Sequence, residues 1–171
     1  MNKCLIVIDC QKDFITGTLA NKDAKAKLPA LISKINEARE NKISIIYTKD
    51  THDQNYLESF EGKNLPVIHC IKNTEGWEFE EGIGPLENEI IICKPNFGYP
   101  YWTHVIPTID EIEIIGFVTD ICVVSNALAL RMFYPDAKIT VDASCCAGVT
   151  PEKHKAALEV MKSCQIEVIN E

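Results

Sequence analysis

Short apolar runs alternate along this chain with stretches of helical periodicity, and that alternation limits its possible folds more than any other feature. Cys4–Ile8 is a continuous apolar run, the pattern of a strand buried on both faces. Leu28, Leu31, Ile32, Ile35 and Ala38 then recur at helical spacing, which predicts an amphipathic helix over roughly residues 27–41. Ile43–Tyr47 is the second expected strand, Ile90–Cys93 the third and Ile112–Ile115 the fourth. A helix is expected from about Asp120 to Phe133, a fifth strand at Lys138–Val141 and a last one at Ile166–Ile169. Between those two strands, Pro151–Ser163 reads as a helix with Thr150 as N-cap and Pro151 in the first turn. Strands that alternate with helices build a parallel sheet. The expected fold class is therefore α/β, a three-layer α/β/α arrangement with a mostly parallel, doubly wound sheet. No linker, repeat or low-complexity tract divides the 171 residues, so one domain is expected. In such sheets ligands sit beyond the carboxyl ends of the strands, and chemistry is sought there.

Composition excludes several function classes. A net charge of −8 without a basic cluster argues against a nucleic-acid partner. No apolar run is long enough to span a bilayer, so no membrane partner is expected. Met1 leads almost directly into the first apolar run, with no n-region and no small-residue cleavage site, which predicts no secretory signal. The eight cysteines contain no C-x-x-C pair, and the adjacent Cys145 and Cys146 are poorly placed to bridge each other. Cys4, Cys10, Cys93 and Cys164 fall in or beside apolar segments, where a thiol acts as a small hydrophobe. Free thiols and a reducing cytoplasm are the expectation.

Three reactive side chains fall at strand ends: Asp9 after the first, Lys94 after the third, and Cys122 beyond the fourth at the start of a helix. The fold would bring all three to one edge of the sheet, and an acid, a base and a thiol there suit nucleophilic catalysis. A helix N-terminus and a nearby ammonium both favour the thiolate of Cys122. Each residue also has a plainer reading taken alone: a buried thiol among eight, a turn-capping carboxylate, a solvated lysine. Between Lys49 and Glu89 the sequence shows little regular structure, yet this stretch carries His52 and His69, two of the four histidines. Asp50 and His52, two residues apart in extended chain, point the same way and could share a metal with His69, and Glu58 is a further acidic candidate. Two loop histidines also occur without any metal. His104 and His154 have no partner pattern and read as surface or packing groups. Phe14, Trp77, Phe97, Tyr99 and Trp102 could stack on a flat substrate or simply pack the core.

Together these pieces resemble the isochorismatase-like cysteine hydrolases, and within them the nicotinamidase (pyrazinamidase) branch. The resemblance covers nearly the whole chain. It is carried, in order, by Ile8-Asp9-Cys10-Gln11-Lys12-Asp13-Phe14, Lys49-Asp50-Thr51-His52, Leu65-Pro66-Val67-Ile68-His69-Cys70, Lys94-Pro95 and Gly116-Phe117-Val118-Thr119-Asp120-Ile121-Cys122-Val123. It implies that Cys122 is the nucleophile, Asp9 the proton carrier and Lys94 the cation paired with them. It also implies a cis peptide at Phe117–Val118, which would aim the Val118 N–H at an oxyanion alongside the N–H of Cys122. Asp50, His52 and His69 match metal ligands, with Glu58 where some members place a further ligand or a water partner. The implied ion is divalent, zinc first, with iron or manganese as alternatives. Phe14 and Phe97 match positions that flank the substrate ring. The implied reaction cleaves a small carboxamide to acid and ammonia through a thioester, nicotinamide first, in NAD salvage; family habit adds a homo-oligomer. The chain departs from the branch in being short and in placing Pro66 where an aromatic is expected, which bears on the ring pocket. Rival readings are a hydrolase of another small amide, a redox-active thiol protein, or a binding module without turnover.

Overall fold

In the computed structural model, which describes residues 2–171, the apolar runs form β1 (Lys3–Ile8), β2 (Ser44–Asp50), β3 (Ile90–Lys94), β4 (Glu111–Phe117), β5 (Lys138–Ala147) and β6 (Glu167–Ile169). All pair in parallel within one sheet, in the order β3-β2-β1-β4-β5-β6. The helices are α1 (Lys12–Ile15), α2 (Lys22–Glu40), α3 (Phe60–Asn64), α4 (Trp102–Val105), α5 (Val124–Phe133) and α6 (Pro151–Ser163). The pleat of β1 explains the three layers. Cys4, Ile6 and Ile8 point into a cluster shared with Trp102, Leu130 and Met161, from α4, α5 and α6. Leu5 and Val7 point to the other face, against Ile15, Leu31 and Ile35 of α1 and α2.

Several elements differ in extent from their sequence signals. α2 starts at Lys22, ahead of its apolar stripe, because the Asn21 side chain accepts from the Asp23 and Ala24 N–H groups at 2.9 and 3.1 Å. β5 runs on to Ala147 through Asp142, a buried carboxylate satisfied by Ser144 Oγ at 2.6 Å and Lys34 Nζ at 3.0 Å. The expected helix from Asp120 opens as a π-helical turn, Thr119–Val123, before α5 begins. The long segment between β2 and β3 holds two 3₁₀ turns, Tyr56–Glu58 and Glu75–Trp77, with α3 between them. Among the described residues, no helix is long and apolar enough to cross a membrane.

The winding direction reverses between the neighbouring strands β1 and β4, which opens a crevice at their carboxyl ends. There the strands come very close. A Cβ on Gly116, at φ +121°, would lie 2.1 Å from the Ile8 carbonyl oxygen, so only glycine fits. Asp9 follows β1 at this point, and Cys122 lies in the turn that follows β4.

Candidate active site

Asp9 leaves β1 in the left-handed region, at φ +45°, a conformation uncommon outside glycine and held by its surroundings. Thr48, in β2, receives the Asp9 N–H on its carbonyl at 3.2 Å and donates its hydroxyl to Asp9 Oδ1 at 2.6 Å. Lys94 ends β3, with β2 lying between it and β1, and its long stem reaches across. Its Nζ lies 2.6 Å from Asp9 Oδ2, 3.6 Å from Asp50 Oδ1 and 3.5 Å from Cys122 Sγ. Cys122 sits in the π-helical turn. The buried Asn126 amide ties that turn to the loop after β3, donating to the Cys122 carbonyl at 2.8 Å and the Phe97 carbonyl at 3.0 Å. The Phe117–Val118 peptide leading into the turn is cis. Asp9, Lys94 and Cys122 therefore meet in space although the sequence separates them widely.

Burial sets the electrostatics of the three. It raises the Asp9 pKa, an effect the Lys94 ammonium only partly offsets, and makes the carboxylate a stronger base than an ordinary aspartate. Burial opposes the charge on Lys94, but Asp9, Cys122 and Asp50 outweigh it and the lysine stays protonated. For Cys122, burial and the Asp9 carboxylate push the thiol well up, beyond what Lys94 recovers. Burial therefore works against the thiolate that a helix start and a nearby cation favour. The sulfur lies 3.5 Å from the Lys94 ammonium, which also pairs with the Asp9 carboxylate, and it opens on a cleft rather than lying sealed in the core.

A second cluster adjoins the first through Asp50. Its Oδ2 faces His52 Nε2 at 3.1 Å and His69 Nε2 at 3.7 Å, and Glu61 Oε1 stands 3.7 and 3.8 Å from the same two nitrogens. One ligand atom from each of the four residues falls within 4.8 Å of all the others. Two imidazoles and two carboxylates form a donor set that suits zinc, iron or manganese. His69 Nδ1 is 2.8 Å from the Val67 carbonyl, a bond that puts the ring proton there and leaves Nε2 a free lone pair toward the cluster. Asp50 Oδ1 is buried without a hydrogen-bond partner, and burial of that carboxylate is outweighed by His52, His69 and Lys94, which hold its pKa well down. The residues fit a divalent metal.

Glu58 is not among them. It is exposed in the 3₁₀ turn, and Glu61 takes the inward position instead. Ser59 makes the difference. Its hydroxyl donates to the Tyr56 carbonyl at 2.6 Å and accepts the Gly62 N–H at 2.9 Å, starting α3 so that Glu61 turns inward. Gly62 permits this closeness, since a Cβ there would meet the Tyr56 carbonyl oxygen at 2.0 Å. Of the other sequence candidates, Phe14 and Phe97 both line the cleft, Phe14 with its ring edge-on to His69 at 5.7 Å. Trp102 is core, and Trp77 packs under the Lys49 ammonium with its indole N–H on Thr51. His154 packs on Thr119, Nδ1 to Oγ1 at 2.7 Å. Of the four cysteines that fall in or beside apolar segments, Cys4 and Cys10 are buried, whereas Cys93 and Cys164 are exposed; all eight cysteines are free.

Three supporting residues were missed. The Gln11 amide donates to the Asp50 carbonyl at 2.9 Å and accepts the Asp50 N–H at 2.7 Å, clamping that residue from both sides. Asp13 is buried, and its two carboxylate oxygens accept the Cys70 and Thr18 N–H groups at 2.8 and 3.1 Å, which anchors the backbone just past His69. Tyr56 packs against both histidines, with ring centroids 4.6 Å from His52 and 4.9 Å from His69. Gln11 and Asp13 lie in the same run as Asp9 and Phe14, and their regular spacing from Asp9 is the one sequence signal that could have marked them.

The Isochorismatase domain family model matches residues 3–171. The nicotinamidase of Schizosaccharomyces pombe is 24% identical, over 98% of this chain and 92% of that protein. The nicotinamidase/pyrazinamidase of Mycobacterium tuberculosis is 25% identical, over 98% of each. The crystal structure of Pyrococcus horikoshii pyrazinamidase in complex with zinc superimposes with a TM-score of 0.84 at 25% identity, covering 100% of both chains.

Proposed function

The chain belongs to the isochorismatase family of hydrolases, and from that premise we propose that it is a cysteine-dependent amidohydrolase that cleaves a small carboxamide, nicotinamide first, to the acid and ammonia. The observation that carries this reading is the buried meeting of Lys94 with Asp9 at 2.6 Å and with Cys122 at 3.5 Å, at the floor of an open cleft. The pyrazinamidase and nicotinamidase names of its relatives support the amide as substrate class.

In this reading Asp9 takes the Cys122 proton as Sγ bonds to the carboxamide carbon. Lys94 keeps its charge and stabilises the anions formed beside it. The backbone N–H groups of Val118 and Cys122 hold the oxyanion. As the C–N bond breaks, Asp9 returns the proton to nitrogen and ammonia leaves, with the acyl group on sulfur. Asp9 then takes a proton from water, whose oxygen attacks the thioester carbon. The C–S bond breaks, and the sulfur recovers its proton from Asp9. Asp50, His52, Glu61 and His69 would hold a divalent metal. When bound, it supplies a Lewis-acidic point for a ring nitrogen of the substrate. Phe14 and Phe97 flank the ring.

Ammonia release from a panel of carboxamides, with metal content measured on the same sample, tests the proposal. Turnover of nicotinamide or pyrazinamide by metal-loaded protein is expected, and no release from any amide would refute it.

A further inference from the structure

The cleft in front of Cys122 is larger than a single-ring amide requires. Its volume is about 950 Å³, near the top of the roughly 300–1,000 Å³ range of pockets that enclose drug-sized ligands. The inner end, at Phe14, Asp50, His69, Val118 and Cys122, is where the amidohydrolase reading seats the carboxamide and its first ring. Beyond the first ring the apolar lining comes from three separate parts of the chain: Phe60 and Leu65 around α3, Phe97 after β3, which flanks that ring and borders the space past it, and Val149 before α6. These four side chains are 85, 38, 43 and 49% exposed, so the space beside the nucleophile is bordered by uncovered hydrocarbon. Exposed apolar side chains lining one cleft are what a groove for an apolar ligand presents. The charges at the rim are of both signs, Lys22 and Lys153 with Asp23, and select no charged tail.

We propose that the preferred substrate carries an apolar extension on its acyl side, beyond the first ring. The substrate class is then carboxamides of bicyclic, or alkyl- or aryl-substituted, heteroaromatic acids. This inference rests on the amidohydrolase reading and deepens it. The reaction is unchanged: the C–N bond breaks, water supplies the new acyl oxygen, and ammonia leaves. Burial of the extension against Leu65, Phe97 and Val149 adds apolar contact to the bound amide and to its transition state.

The test compares kcat/KM for nicotinamide and for quinoline-3-carboxamide, a fused second ring, on zinc-loaded wild type, Val149→Ser and Leu65→Ser. In wild type the bicyclic amide is expected to exceed nicotinamide by tenfold or more. Either substitution is expected to lower the bicyclic value at least fivefold more than the nicotinamide value, and two variants guard against one that fails to fold. Nicotinamide turnover with equal or poorer use of the bicyclic amide would overturn this inference and leave the amidohydrolase reading standing. No ammonia from either amide would overturn both.

Discussion

The ammonium of Lys94 lies 2.6 Å from the carboxylate of Asp9, and neither side chain reaches solvent. Removing one partner of such a pair strands the other charge, whereas removing both takes the lysine only from Asp50, whose carboxylate still faces His52 and His69. Lys94→Met is expected to destabilise the protein by about 3–5 kcal/mol, and the Asp9→Asn/Lys94→Met double variant to recover most of that loss. Both should be inactive. Denaturant titration beside an ammonia assay checks this. Recovery of stability without recovery of turnover separates the pair's structural cost from its chemical use.

Glu61 faces His52 and His69, whereas Glu58 faces solvent. Glu61→Gln is therefore expected to weaken zinc binding by about 10-fold or more, and Glu58→Gln to leave it unaltered. Competition with a chromophoric chelator measures both. Equal losses in the two variants would contradict the placement of α3.

Asp13 uses both carboxylate oxygens to hold backbone N–H groups, of Cys70 and Thr18. A carboxamide in place of that carboxylate would offer one acceptor and turn a donor toward the other N–H, loosening the segment behind His69. Asp13→Asn is expected to lower metal affinity by about 10–100-fold. At saturating metal, kcat should stay within a few-fold of wild type. A fall in kcat with metal affinity intact would show that Asp13 acts elsewhere.

Asp142 supports the fold rather than the site. Burial would raise its pKa, but hydrogen bonds from Ser144, Lys34 and Asn170 hold it below the ordinary carboxylate value. A folded-state pKa below the unfolded one gives stability that is present above the unfolded value, near pH 4, and lost as pH falls through the folded value. Asp142→Asn is expected to cost about 2 kcal/mol at neutral pH, with the gap to wild type closing below about pH 4. Urea melts at the two pH values measure it, and a pH-independent gap would contradict the assignment.

Much of this fold is legible in the sequence because its strands are apolar on both faces; β1 needs no context to be read. The Pro151–Ser163 helix has matching bounds because Thr150 and Pro151 mark its start locally. Asp9, Lys94 and Cys122 were legible because a parallel sheet sends all its strand ends to one edge. Glu61 was not, since only the cap of α3 decides which acidic side chain turns inward. Gln11 and Asp13 escaped notice because they hold the backbone of distant segments, and their regular spacing from Asp9 does not by itself say which segments. The burial that opposes the Cys122 thiolate was hidden for a related reason. A helix start and a lysine can be seen in sequence, whereas full burial beside a carboxylate cannot.

The central claim is that the Cys122 sulfur carries the acyl group. Intact-protein mass spectrometry of metal-loaded enzyme, acid-quenched during turnover of an amide substrate, measures this directly when run beside Cys122→Ala. The expected result is an added acyl mass on wild type that maps to Cys122, with neither adduct nor ammonia from the folded alanine variant. Ammonia release by that variant near the wild-type rate, or an adduct on another residue, would contradict it.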